Sequence, residues 1–385
     1  MSWTYRLPAA LMLLAPFNLL ASLGLDIYLP VVPLMPGALA STPATIQLTL
    51  TLYMIMLGLG QMLFGPVSDR VGRRPVLIGG VALFAAASFA LAATSSAPLF
   101  LALRLAQAAG ASAMLVALFA TVRDVYAGRP ESTAVYGLLN AMLAFVPALG
   151  PIVGALVAQA FGWRGVFVAL GLPAMAMLAV ALPAWHETRM PGPARAAVGP
   201  ILRHGDFWRY TLAFGTAMGT FFVFFSTAPR VLIGRAGLSE MVFSLAFATV
   251  ALVMIATSRL ARPLIARAGI AGSVRRGMAL LILGAGLLCL GRLLPVPSVW
   301  SFVLPMWPMA AGIVMTAAVT ANGALRAFDD GAGTAVALHF CVQSLITGVI
   351  GTTAVVMLDG ETIWPLAAYA TGMAALTLIA LRRRI

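Results

Sequence analysis

Residues 65–75 read Gly65-Pro66-Val67-Ser68-Asp69-Arg70-Val71-Gly72-Arg73-Arg74-Pro75, a charged turn set between two long apolar runs. It carries one acid and three arginines in a chain of 385 residues that is only 9% charged and 62% hydrophobic. Ordinary soluble domains carry roughly a quarter charged residues, so this chain cannot be solvated as a globule. The glycines permit a tight reversal, and each flanking run approaches the roughly 20 apolar residues that cross a bilayer. The stretch therefore reads as a loop at a membrane surface, and the fold depends on how often such loops recur.

Apolar runs separated by polar breaks fall at 8–30, 45–66, 76–95, 98–121, 134–161, 165–184, 210–230, 241–259, 277–294, 299–322, 333–358 and 362–381. They predict an all-α membrane protein of about twelve transmembrane helices. The first run is too long for a signal-peptide core and lacks a small-residue cleavage site followed by a polar mature domain, so it reads as the first span.

The formal charge of +13 comes from 24 arginines, with no lysine. A basic total alone suggests nucleic acid, but here the charges follow topology. With the N-terminus inside and the spans alternating, one side collects Arg6, Arg70, Arg73, Arg74, Arg123, Arg129, Arg189, Arg195, Arg203, Arg209, Arg259, Arg262, Arg267, Arg275, Arg276, Arg326 and Arg382 to Arg384. The other side has Arg164, Arg230, Arg235 and Arg292. By the positive-inside rule both termini are expected in the cytoplasm, which requires an even number of spans.

The longest polar stretch, Trp185 to Tyr210, follows the sixth span and contains Pro191, Pro193 and Pro200. The expected plan is a six-helix bundle over 1–184, a cytoplasmic linker over 185–209 and a second six-helix bundle over 210–385. Cys289 and Cys341 lie in apolar runs and give neither a disulfide framework nor metal spacing.

At every defining position, residues 65–75 resemble the signature loop of the major facilitator superfamily, G-x-x-x-D-R-x-G-R-R/K. A loop made basic only by topology accounts for the arginines but not for the Gly and Asp spacing. The resemblance implies two pseudo-symmetric six-helix halves that bind substrate near the midplane, and a gating role for Gly65, Asp69, Arg70, Gly72, Arg73 and Arg74. Asp69 can sit against a helix N-terminus, and Asp124, ending span four, is the natural acid for an arginine to bridge. In span four, Arg104-Leu105-Ala106-Gln107-Ala108-Ala109-Gly110 resembles the R-x-x-Q-G-x-G motif of proton-coupled members, with Ala108 in place of the first Gly. In span five, Gly150-Pro151-Ile152-Val153-Gly154-Ala155, preceded by Pro147, is similar to the G-P-x-x-G-G motif of exporters, with Ala155 in place of the last Gly.

Leu25-Asp26-Ile27-Tyr28-Leu29-Pro30-Val31-Val32-Pro33 resembles the bicyclomycin and chloramphenicol resistance group of drug:proton antiporters. The stretches Ala113–Tyr126, Ala144–Gly154, Gly219–Gly234, Leu304–Trp307 and Val319–Asp330 further resemble its chloramphenicol/florfenicol exporters. What this implies is export of phenicol-like drugs in exchange for protons across a bacterial inner membrane, with no cofactor, no metal and no nucleic-acid partner. A monomer in the lipid bilayer is the default expectation.

Asp26 and Arg104 are ionisable groups inside predicted spans, and such groups mark function by default. Asp26 lies four residues before Pro30, roughly 6 Å from the periplasmic end of its span, and Arg104 roughly 9 Å from the same side. The depths match, which predicts an attraction between them. Desolvation favours a neutral carboxyl and a nearby guanidinium an ionised one, so a movement that changes their contact can switch the proton on Asp26. Arg104 stays charged and tunes the acid or orients substrate. An ion pair that merely holds two helices together is the competing reading.

Tyr28, Tyr53, Phe145, Phe224 and Asn322 are candidate linings of an apolar, aromatic substrate site. His339 can relay protons, though a histidine hydrogen-bonded in helix packing explains it better, and Asn18 can hydrogen-bond across helices or face substrate. A facilitator-fold importer shares this topology. A membrane-embedded enzyme does not fit, because the sequence holds no paired His and acidic ligands, H-E-x-x-H, G-x-S-x-G or P-loop pattern.

Overall fold

A computed structural model of the chain describes residues 7–126, 145–189, 198–291, 299–328 and 332–382, together with positions 129, 131, 135, 138, 139, 142 and 293. Arg6, Arg195, Arg292, Arg383 and Arg384 of the charge tally, Pro191 and Pro193 of the linker, residue 134 and the stretch ends Ala144 and Asp330 lie outside the described residues.

The described residues are helical almost throughout. The long helices are α1 (Leu7–Asp26), α2 (Pro43–Val71), α3 (Arg73–Ala93), α4 (Ala97–Tyr126), α5 (Val146–Ala184) and α6 (Gly205–Pro229). They continue with α7 (Glu240–Leu260), α8 (Arg262–Gly291), α9 (Met306–Leu325), α10 (Ala332–Leu345, carried on to Met357) and α11 (Trp364–Arg382). Local chemistry sets several starts. Thr42 caps α2, its hydroxyl accepting from Thr45 N at 3.2 Å, and Pro43 fills the first turn where no donor is missed. Ser239 caps α7 in the same way through Val242 N.

Among the described residues, 11 helices are long and apolar enough to cross a membrane. One of them, α5, has 39 residues. Straight, it would run about 58 Å, twice the hydrocarbon thickness of about 30 Å. It breaks at Gly162, whose φ of 69° a side chain would resist. The two arms, 146–161 and 163–184, overlap the fifth and sixth predicted spans, 134–161 and 165–184, and dividing α5 there agrees with about twelve spans.

The first span differs from its expected end. Regular helix stops at Asp26, and Leu29–Leu34 forms a tighter 3₁₀ turn before a last short helix, Met35–Ala38. Pro30, Pro33 and Pro36 lack the donors that would continue α1. Because the apolar segment runs on to Ala38, Asp26 sits at an internal junction of that segment rather than near its end. The seventh span also starts earlier than expected, at Gly205, and the preceding polar stretch contains the short helix Val198–Arg203.

The chain divides into two compact units, Met1–Pro193 and Ala194–Ile385. In the first, α3 and α4 approach backbone to backbone at Gly80 and Gly110, where an added Cβ would lie 2.9 and 2.6 Å from the facing carbonyl oxygen. In the second, α8 and α9 do the same at Gly277 and Gly312, at 2.7 and 2.6 Å. This recurrence is the imprint of a repeated six-helix plan. Large apolar residues such as Leu156, Leu172, Leu252 and Leu290 stand exposed on the outer helix faces, as a lipid solvent allows.

Candidate functional site

The first unit holds a buried polar cluster where α1, α2, α3 and α4 meet. Arg104 of α4 is fully buried and donates from Nη1 to Gly24 O at 2.9 Å and to Gln107 Oε1 at 2.6 Å. Gln107 in turn donates from Nε2 to Ser88 Oγ at 2.8 Å, and Ser88 donates to Phe84 O at 2.6 Å. The guanidinium carbon lies 4.5 Å from the Tyr53 ring centre, 4.8 Å from Tyr28 and 6.0 Å from Phe167. Such stacking compensates part of the desolvation of a buried cation. Tyr53 itself is fastened to α1 by its hydroxyl, which donates to Ala21 O at 3.1 Å.

Asp26 and Arg104, whose matching depths predicted an attraction, form no direct ion pair. Arg104 turns instead to the Gly24 carbonyl, and Asp26 Oδ1 is buried with no hydrogen-bond partner. Nε and Nη2 of Arg104 are likewise buried and unpartnered. An unpaired buried polar group costs about 1–3 kcal/mol, and a charged one more. The cluster therefore offers one free acceptor and two free donors in a dry setting, able to take a proton, a water or the polar group of a ligand.

The Gly and Pro motif of α5 packs directly on this acid. A Cβ on Gly150 would lie 2.7 Å from Asp26 Cβ, and one on Gly154 only 2.1 Å from Ile27 O. Only glycine lets α5 approach α1 so closely, so the motif fixes where Asp26 sits. Pro147 and Pro151 lie in the same arm, within its first two turns. Asn18 donates from Nδ2 to Leu139 O at 2.9 Å, another tie from α1, and its Oδ1 has no partner.

The loop of residues 65–75 forms a second, half-exposed cluster. Arg73 donates to Asp69 Oδ1 at 2.6 Å and to Asp124 Oδ2 at 2.8 Å, the bridge expected of it. Glu187, just past α5, sits at the N-terminus of α3, where its carboxylate accepts from Arg73 N at 2.8 Å and Arg74 N at 3.1 Å. Gly72 leaves the room, with φ at 108° and Glu187 Oε2 at 2.3 Å from where a Cβ would be. Partial burial works against the charge on Glu187, but the N–H groups of Arg73, Arg189, Arg74 and Thr188 outweigh it and hold the carboxyl below its ordinary range. Arg189 donates to Arg70 O and Arg74 to Leu182 O, each at 2.7 Å. Trp185, buried against Phe17 at a ring separation of 5.4 Å, completes this attachment, so the polar stretch begins docked rather than solvated. Gly65 lies one helical turn before Asp69, inside α2.

The remaining expected lining residues are scattered. Tyr28 and Tyr53 frame Arg104. Phe145, just before α5, and Asn322, on α9, are exposed. Phe224 is fully buried in the second unit, stacked on Phe247 at 5.2 Å and Phe302 at 5.9 Å, a packing position. His339 shares a 2.8 Å hydrogen bond with Thr211 and stacks on Phe214. Sequence reasoning missed Ser88 and Glu187, and it left Gln107 as a motif letter without a partner. No group of His, Cys, Asp or Glu able to hold a metal occurs among the described residues.

The family model described as Major Facilitator Superfamily matches residues 14–352. A protein of Pseudomonas aeruginosa named "Chloramphenicol resistance protein" is 50% identical over 380 residues, 98% of this chain and 91% of that one. A protein of Escherichia coli (strain K12 / DH10B) named "Multidrug resistance protein MdtL" is 34% identical over 176 residues, 46% of this chain and 45% of that one. Among solved structures, a bacterial homologue of the human lysosomal transporter Spinster superposes with a TM-score of 0.77 at 13% identity, covering 98% of both chains. That likeness carries the fold alone.

Proposed function

This chain belongs to the Major Facilitator Superfamily, and on that premise we propose that it exports small, mostly uncharged drugs, phenicol antibiotics foremost, each in exchange for a proton. As a multi-pass membrane transporter it is not an enzyme, and its substrate is a small molecule. Phenicol export is supported by the 50% identity to the Pseudomonas chloramphenicol resistance protein across nearly the whole length.

The observation that carries the coupling is the buried, unpartnered Oδ1 of Asp26 in the same helix cluster as the buried Arg104 guanidinium. In the proposed cycle Asp26 takes a proton from the periplasmic side while drug leaves, and releases it to the cytoplasm before the next drug binds. Protonation removes a buried charge, which lowers the cost of keeping the cluster dry while the helices move. Arg104 remains cationic throughout, held by Gln107 and its aromatic frame, and its two free N–H groups orient water or a drug hydroxyl. Gly150 and Gly154 let α5 move with α1, so a tilt of one helix changes the surroundings of the acid. Arg73, Asp69, Asp124 and Glu187 gate the cytoplasmic side. Exchange of one neutral drug for one proton carries one charge inward, and a potential of about 100 mV supplies about 2.3 kcal/mol, enough for a gradient of about fiftyfold. The transporter acts as a monomer in the bacterial inner membrane with both termini in the cytoplasm.

Accumulation of labelled chloramphenicol in a drug-sensitive bacterium tests this reading. Cells with the intact chain should hold less drug, a protonophore should abolish the difference, and Asp26→Asn at equal expression should do the same. Unchanged accumulation with the intact chain refutes phenicol export. Active, protonophore-sensitive export by Asp26→Asn moves the proton site elsewhere.

A further inference from the structure

The junction between α7 and α8 has a charge that nothing in the export cycle uses. Arg259 ends α7, Arg262 and Arg267 lie in the first leg of α8, and Arg275 and Arg276 follow the break at Gly269. All five are exposed, and none is in an ion pair or a side-chain hydrogen bond among the described residues. The corresponding step of the first unit, α2 to α3, is built alike, with a left-handed glycine at Gly72 where α8 has Gly269 at φ 66°. There the similarity stops. In the first unit Asp69 and Asp124 pair with Arg73, Asp124 pairs also with Arg123, and the Glu187 carboxylate sits on the N–H groups of Arg73 and Arg74. In the second, residues 241–328 carry no Asp or Glu, and Asp329 and Asp330, which follow, lie outside the described residues. Like charges this dense repel one another unless an outside anion sits among them.

Two apolar side chains identify where that anion comes from. Leu260 is 77% exposed and Leu264 43% exposed, both interleaved with Arg259, Arg262 and Arg267. Exposed leucines beside exposed arginines, at the end of α7 and in the first leg of α8, match the boundary between acyl chains and headgroups. A guanidinium fork also fits phosphate oxygens in pairs.

We propose that the α7–α8 junction is a binding surface for the phosphate headgroups of anionic phospholipids, which supply the counter-charge that acids supply in the first unit. The inference needs only that the chain spans a bilayer, and it stands or falls apart from the identity of the drug.

The test uses the full-length protein in nanodiscs of phosphatidylcholine alone or mixed with phosphatidylglycerol, followed by thermal unfolding. The intact protein should melt several degrees higher with phosphatidylglycerol, and high salt should shrink that rise. Arg259→Gln/Arg262→Gln/Arg267→Gln should lose most of the rise while melting like the intact protein in phosphatidylcholine. Should the triple variant be damaged there, the single variants Arg262→Gln and Arg267→Gln serve, each expected to lose part of it. Arg235→Gln, an exposed arginine distant in sequence from the junction, should keep the whole rise. No lipid preference, or a rise retained in the triple variant, overturns the proposal. An equal rise with inorganic phosphate in plain phosphatidylcholine assigns the surface to a free anion and overturns the lipid assignment.

Discussion

Gly154→Ala isolates the contact that places Asp26. The added methyl would lie 2.1 Å from Ile27 O, whereas an ordinary contact begins near 3.4 Å, so α1 and α5 must separate by about 1.3 Å at that point. The obstacle is a backbone carbonyl, which has no rotamer to escape into. Overpacking of this kind costs about 1–3 kcal/mol. At about 2–4 °C per kcal/mol for a unit of this size, a cost near 2 kcal/mol lowers the melting temperature by about 4–8 °C. The separation also moves Asp26, next in sequence to Ile27, and a displacement near 1 Å in a reacting group costs up to about a hundredfold in rate. Gly79→Ala is the control. It lies in α3 with nothing within 4 Å of the new Cβ, and alanine there gains up to about 1 kcal/mol in helix propensity. The measurements are thermal unfolding of both purified variants and protonophore-sensitive drug accumulation in cells at matched expression. If Gly154→Ala melts with the intact protein and exports at the same rate, the close approach of α1 and α5 does not set the acid, and the reasoning fails.

Other substitutions probe the rest of the site. Arg104→Lys keeps the charge but loses the planar group that stacks on Tyr28 and Tyr53 and donates to two acceptors at once, so export should fall at least tenfold with expression unchanged; wild-type export would mean that charge alone suffices. Ser88→Ala removes the acceptor that orients Gln107, costs about 1 kcal/mol in stability and should shift the pH profile of export, whereas Ser88→Thr should retain the profile; equal profiles in both would make Ser88 a packing residue. Glu187→Gln should speed limited proteolysis after Arg189 without changing the fold, because the amide holds the α3 N-terminus less strongly. The same attachment should weaken in acid. Since the folded carboxyl sits below its ordinary range, its contribution is present at neutral pH and is lost as the pH falls through that lowered value; proteolysis insensitive to acid in the intact chain would contradict this.

Much of this protein is written in short stretches of chain. Apolar runs of membrane length, arginines biased to one side, and the Gly-Asp-Arg spacing of residues 65–75 act within a turn or a span, so the all-helical plan, the loop and the two intramembrane charges were readable directly. The Arg73 to Asp124 bridge was also foreseeable, because the alternation of spans puts both ends on one expected membrane face. What only the tertiary structure decided are contacts between residues far apart in sequence. Arg104 reaches across 80 residues to Gly24 rather than to Asp26, and Glu187 across 114 to the start of α3. Neither distance leaves a periodicity, and a lone Glu after a span or a lone Ser inside one has the same local chemistry whether it is paired or solvated. Gly154 was visible as a motif, yet its purpose depends on the carbonyl it faces. Sequence specifies which helices form. Which donor meets which acceptor is settled only when helix backbones pack closely enough to exclude every other partner.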